Sequence, residues 1–410
     1  MSPKVTIELN PPVNGSYYTD YEEIAGRVVL SLSRPASVKR LNVSLRGLSQ
    51  TRTILGTDGR YQYTQSAAGG GTIYDGDHST HVVYHREVQL FPPTGKIDDS
   101  DDDGVSLAKG SYGYDFAFKL LGSPDCVQKR NCKGESLRDE QPKASLCQLP
   151  PSFNDKNDGK AVDRAELVYY ALGRVRYKVN AQLEMGGDRK LFGTSKKNVT
   201  ASSLISFMPN VCRQQPQDDT VGPEFRFQSL DSVKLAHGLH MNFYVISAKP
   251  LTVHRMDYLF RRGCGKFDDM YLMFDKSPAA HSLKAKRLQL FLNEETTYAV
   301  GKRSDRNDSS LLLMSTDLNQ EIPLGEDHVL RMDLSKNSAL NRLRFNEEDY
   351  VHRGNRLYSF NSCNISREFE FKLVIHWVVD GKRSCKSEVA IPVTVLVDDL
   401  WANSLPPPYE

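Results

Sequence analysis

Three histidines, His78, His81 and His85, fall within one short stretch, with Asp75 and Asp77 just before them. Imidazole and carboxylate groups are common ligands of divalent metals, so this is the first place to look for chemistry. Spacings of three and four residues suit a helix, but the stretch reads as a loop running into a strand. It offers neither a tetrahedral ligand set nor a fixed scaffold, so the sequence gives no metal site. The acidic run Asp98, Asp99, Asp101, Asp102, Asp103 lacks the spacing of a calcium loop and has no glutamate at the twelfth position. Its self-repulsion makes it a solvated loop.

Catalytic patterns are missing as well. There is no nucleophile elbow and no HExxH, and Gly69-Gly70-Gly71 is not followed by the lysine and serine of a phosphate-binding loop. Cys264 has basic neighbours, Arg262 and Lys266, of the kind that lower a thiol pKa, yet its glycine-flanked setting reads as a strand-end turn. The seven cysteines are an odd number without a CxxC pair, which fits inert thiols in a reducing compartment. Five N-x-S/T triplets, at Asn14, Asn42, Asn198, Asn307 and Asn364, read as chance polar sequences, since the opening residues show no signal-peptide core. The expectation is a cytoplasmic protein with no catalytic residue, cofactor or metal.

The strongest functional pattern stands at the other end of the sequence, in Pro406-Pro407-Pro408-Tyr409-Glu410. Consecutive prolines hold a polyproline II helix before anything binds, so docking costs little ordering entropy. The flat proline faces suit an aromatic-lined groove, and Tyr409 adds a rigid ring with a polar tip. Pro406, Pro407 and Tyr409 fill the fixed positions of PPxY, the pattern that WW domains read, with Pro408 in the free position. Pro150-Pro151-Ser152-Phe153 lacks the tyrosine and lies inside the body, which makes it structural.

The elements that carry this motif are strands. Val5, Ile7 and Leu9 alternate with polar residues, as do Val28, Leu30 and Leu32, then Leu41, Val43 and Leu45 up to Gly47. Tyr114, Phe116, Phe118 and Leu120 form an aromatic-rich strand, and Val175, Tyr177, Val179, Ala181 and Leu183 share one face of a long one. Residues 56–80 read as a mobile loop and 122–164 as a long polar connection. Further strands are expected over 226–235, 241–247, 251–260, 286–292, 297–302 and 310–314, and a short helix over 337–350. Asp380-Gly381 is the clearest hairpin turn, joining Phe369–Val379 to Val389–Val397, with Pro392 marking an edge or a bulge. Short sequential strands separated by turn residues predict an all-β chain of two antiparallel β-sandwiches. The expected domains are 1–207 and 225–398, with a linker over 208–224 and a tail over 399–410. Basic and acidic residues number 53 and 51, a formal charge of +2 that gives no electrostatic case for nucleic acid. Small basic clusters at Lys196-Lys197, Arg261-Arg262 and Lys284, Lys286, Arg287 suggest weak contact with an anionic membrane surface.

The order of these signals resembles an arrestin. Val5–Leu9, Ile24–Leu30 and Val38–Gly47 are similar to the opening strands of the arrestin N-domain, and Gly110–Phe118 resembles its glycine followed by alternating aromatics. Leu149-Pro150-Pro151-Ser152 sits where arrestins carry such a stretch, Val168–Leu183 resembles the strand that follows, and Ile391-Pro392-Val393 resembles the end of the C-domain. With its PPxY the chain looks like an α-arrestin of the fungal arrestin-related trafficking adaptor kind. The resemblance implies an immunoglobulin-like body that engages plasma-membrane transporters or receptors. It also implies a motif, Pro406, Pro407 and Tyr409, that recruits the WW domains of a HECT-type ubiquitin ligase. Cargo, and in this family the adaptor's own lysines, then receive ubiquitin, and the cargo is endocytosed. The alternative is a ligase-independent sorting scaffold similar to arrestin-like retromer subunits. Family members usually carry several such motifs on a long tail. Here one motif follows the body by roughly ten residues, a reach of about 30 Å at ~3.1 Å per extended residue.

Overall fold

In a computed structural model of the 410-residue chain, the structure describes residues 3–13, 15, 17–20, 22–52, 63–65, 72–74, 78–93, 104–128, 149–154, 172–186, 198–209, 225–228, 233–234, 240–241, 243–247, 251–254, 270–274, 282–301, 303–322, 331–333, 351–352, 355–356 and 358–396. Nearly all of these lie in strands or the turns between them, and among the described residues the one α-helix is Asp125–Gln128. The protein is all-β, with the tandem β-sandwich architecture of an arrestin. It divides into two compact units. Unit 1 comprises Met1–Pro209, Tyr298–Asp305 and Asn361–Ile365; unit 2 comprises Asn210–Thr297, Arg306–Phe360 and Ser366–Glu410.

Unit 1 stacks a three-stranded antiparallel sheet, in the order Lys4–Leu9, Glu23–Leu32, Gly110–Lys119, against a larger one. The larger sheet runs Asn198–Ile205, Leu172–Met185, Ala36–Arg52, His78–Phe91, with Val105–Leu107 and Phe153–Asn154 as short additions. Alternation does what it should. Ile24, Val28 and Leu30 of one sheet, and Leu41, Val43, Leu45, Tyr177, Val179, Ala181 and Leu183 of the other, are fully buried. Phe91 and Tyr114 meet across the layers with ring centroids 6.0 Å apart, and the Tyr84 hydroxyl donates to the carbonyl of Lys119 at 2.7 Å.

Two local expectations are corrected. Gly47 does not end its strand, which continues to Arg52; it is opposite Tyr177, and a Cβ at this glycine would stand 2.6 Å from that ring. The residue is small so that an aromatic side chain can lie over it, not because the chain turns. Within 56–80, Tyr63–Gln65 pairs with Thr72–Tyr74, and the next long strand begins at His78. β-branched and aromatic residues carry strand pairing there despite the surrounding glycines.

Unit 2 is built on the antiparallel Ile365–Val379 and Arg383–Leu396 hairpin. Asp380 and Gly381 both take positive φ (51° and 66°), and the Lys382 N–H donates to Val379, so the expected turn is present. Leu283–Val300 and Arg303–Ile322 continue the sheet on one side, and Leu251–His254 pairs in parallel with Val393–Leu396 on the other. Pro392 precedes the first of those parallel pairs, on the stretch of its strand that is outermost among the described residues, and no bulge interrupts its pairing with Glu370. The segments expected over 286–292 and 297–302 are one 18-residue strand, and 310–314 belongs to a strand of 20. A second sheet orders Phe225–Gln228, Phe243–Ser247, Met270–Phe274 and Arg331–Asp333. The helix expected over 337–350 lies outside the described residues.

Candidate functional site

Pro406, Pro407 and Tyr409 lie outside the described residues, as do Lys196-Lys197, Arg261-Arg262, Cys264 and the acidic run 98–103. The last described strand, Arg383–Leu396, is firmly held. Val395 N–H donates to Ser359 Oγ at 2.9 Å, Ser359 N–H donates back to the Val395 carbonyl at 2.8 Å, and Trp377 Nε1–H donates to Ser387 Oγ at 3.1 Å. In sequence the motif therefore follows a hydrogen-bonded strand, residues 397–410 coming after Leu396.

The outward faces of this hairpin carry paired charge. Glu388 accepts from Lys372 at 2.6 Å and Lys386 at 3.0 Å. The Lys372 hydrogen bond is the main reason its carboxyl is held below the ordinary glutamate range, with burial opposing and Lys386 adding to the effect. Of the basic cluster 284–287, Lys286 is exposed, Lys284 half-buried, and Arg287 engages Asp317 at 2.9 Å. On unit 1 Arg27 reaches Asp115 at 2.7 Å across strands, and that bond lowers the Asp115 pKa. Mixed pairs of this kind make a neutral, hydrated surface rather than a single-sign field.

The Leu-Pro-Pro-Ser stretch is a buried strut, as its sequence suggested. Tyr177 donates its hydroxyl to the Pro150 carbonyl at 2.6 Å, Ser152 N–H donates to Phe207 O at 2.8 Å, and Phe207 N–H donates to Ser152 Oγ at 2.9 Å. Tyr177 and Phe207 pack edge to face at 5.1 Å between centroids.

The three histidines do not converge. His78 and His85 are exposed on the His78–Phe91 strand, while His81 is 7% exposed and turned inward. What His81 meets is two cysteines that the sequence holds far apart. Cys126 and Cys363 place their Sγ atoms 3.5 Å from each other, and the ligand atoms of all three residues lie within 4.8 Å. The Asp125–Gln128 helix that presents Cys126 is seated by Asp125, which accepts from the His85 N–H at 2.9 Å and from Arg86 Nη1 at 3.3 Å. Cys363 precedes Asn364, a fully buried amide. It accepts from Ser49 Oγ at 2.5 Å, donates to Thr51 Oγ1 at 3.3 Å, and its carbonyl accepts from Ala299 N–H at 2.9 Å. Sequence reasoning missed this cluster because residues 81, 126 and 363 share no local spacing. Only the inclusion of Asn361–Ile365 in unit 1 brings them together.

Residues 5–127 match the model of the arrestin (or S-antigen) N-terminal domain, and residues 221–399 match that of the arrestin-related trafficking adapter 10 C-terminal domain. An arrestin-related trafficking adapter 10 of Eremothecium gossypii is 38% identical over the whole of this chain and 97% of its own length. Its counterpart in Lachancea thermotolerans is 32% identical over all of this chain and 98% of the relative, and that of Saccharomyces cerevisiae strain S288c is 28% identical over 99% and 98%. The chain belongs to the arrestin-related trafficking adapter family. The N-terminal match of this adapter takes in His81 and Cys126, and the C-terminal match takes in Cys363. The C-terminal match stops at residue 399, so the PPxY residues lie beyond it. No helix among the described residues is long and apolar enough to cross a membrane.

Proposed function

We propose that this chain is a non-catalytic ubiquitin-ligase adaptor. Its arrestin body holds a membrane-protein cargo, and Pro406, Pro407 and Tyr409 recruit a HECT-type ligase through its WW domains, so that the cargo is ubiquitinated and endocytosed. The observation that carries the reading is a PPxY sequence, present once, joined to the body of a trafficking adapter. The chemistry is that of tethering. A proline-rich segment joined by few residues to an ordered strand raises the effective concentration of ligase beside whatever the body holds. The protein works in the cytoplasm, recruited to the plasma membrane or endosomes by its cargo, with Lys284 and Lys286 adding weak contact to anionic lipid.

Ubiquitin-remnant proteomics of surface transporters separates the roles of body and tail. Cells carrying Tyr409→Ala are expected to match cells lacking the protein, with the same cargo retained at the surface. Full cargo turnover with Tyr409→Ala, alongside failure on complete deletion, would replace this reading with a ligase-independent sorting scaffold.

A further inference from the structure

We propose that His81, Cys126 and Cys363 form a zinc-binding site inside unit 1. Imidazole and thiolate are the ligands that zinc prefers, and all three side chains are buried with their ligand atoms within 4.8 Å of one another. Two thiolates bound to one tetrahedral ion at about 2.3 Å each stand about 3.8 Å apart. The 3.5 Å between Cys126 Sγ and Cys363 Sγ is close to that spacing. A disulfide would require the sulfurs at about 2.05 Å.

Charge favours the same ligand. Zn²⁺ with two thiolates and a neutral imidazole is a neutral unit, so burying the ion here leaves no uncompensated charge. Binding displaces one proton from each thiol, two per ion, to solvent. His81 Nε2 lies 2.8 Å from Ser79 Oγ; coordination through Nδ1 keeps that contact as the oxygen partner that orients a metal-bound ring. Each ligand stands on a separately fixed piece of backbone. His81 lies on a long sheet strand, Cys126 on the helix that Asp125 docks, and Cys363 beside the Asn364 network. The three protein ligands leave a fourth position to a water. The ion joins Asn361–Ile365, supplied late in the chain, to a strand and a helix supplied early.

The test uses the full chain purified under reducing conditions without chelator, with metal content read by mass spectrometry. About one zinc per chain is expected, falling below about a tenth in Cys126→Ser, in Cys363→Ser and in His81→Ala, and unchanged in Cys385→Ser, a cysteine outside the cluster. Replacement by cobalt in the wild-type chain, which does not depend on any variant folding, is expected to give a thiolate-to-cobalt charge-transfer band. Wild-type protein that holds no zinc and gives no such band would overturn the site, as would zinc content unaffected by the cysteine substitutions. Freshly isolated protein with Cys126 and Cys363 joined as a disulfide would replace the metal by a redox pair.

Discussion

Asn364 and Arg367 are separated by two residues, yet they belong to different units and are buried by different means. In unit 1 the network around Asn364 is neutral. Ser49, Thr51, Asn364 and the backbone of Ala299 exchange hydrogen bonds, so no ion has to be desolvated. In unit 2 the network around Arg367 is ionic. Arg367, 1% exposed, donates from Nε to Glu294 at 2.8 Å, and Glu294 also accepts from Thr296 at 3.1 Å. The guanidinium lies over the rings of Tyr358 and Phe369, 5.4 and 5.1 Å from their centroids. A neutral network loses a hydrogen bond or two when one member goes; a buried ion pair leaves a stranded charge. The two centres should therefore respond differently to the same kind of substitution.

The largest effect is expected from Arg367→Met. Chemical denaturation should show a loss of about 3–5 kcal/mol, because Glu294 is left partly buried without its counter-charge. Adding Glu294→Leu should recover much of that loss. If the double variant is as unstable as the single one, packing against Tyr358 and Phe369 rather than charge is what the pair supplies. Asn364→Ala should cost less, about 1–3 kcal/mol, and a larger loss than that of Arg367→Met would reverse the ranking of the two centres. Glu388 gives a surface reference for both. Its folded pKa is depressed, so its stabilisation is present above its ordinary 4.5 and lost as pH falls through the folded value. Glu388→Gln is accordingly expected to cost about 1 kcal/mol at neutral pH, a difference that closes in acid denaturation and shrinks with added salt. Smallest is Leu312→Ser on the outer Arg303–Ile322 strand. Leu312 is 49% exposed, and the melting curve should move by no more than about 0.5 kcal/mol implies.

Sequence legibility followed burial. Val175, Tyr177, Val179, Ala181 and Leu183 declared their strand because one face is solvent-free and a shift of one residue would expose every member of it. Arg303–Ile322 is just as extended, but none of its side chains described is buried, so only the part around Leu311, Leu312 and Leu313 carried a signal. Its strand character comes from its pairing partner Leu283–Val300, which no local pattern reports. Gly47 misled for a related reason, since its smallness answers to Tyr177 on a neighbouring strand. The functional residues divide in the same way. The PPxY sequence is readable because a linear-peptide pattern is defined by consecutive residues and needs no partner from the fold. His81, Cys126 and Cys363 became a group only through contacts 237 residues apart, and spacing rules do not reach that far.

On the proposed function, Tyr409 completes the ligase-binding handle of this adapter. Titration calorimetry of the full chain with an isolated WW domain of a HECT-type ligase is the test. Wild-type protein is expected to bind with a Kd on the order of micromolar, and Tyr409→Ala to lose at least about tenfold in affinity, a change of about 1.4 kcal/mol or more. Binding of the same strength by Tyr409→Ala, or none by the wild type, would contradict it.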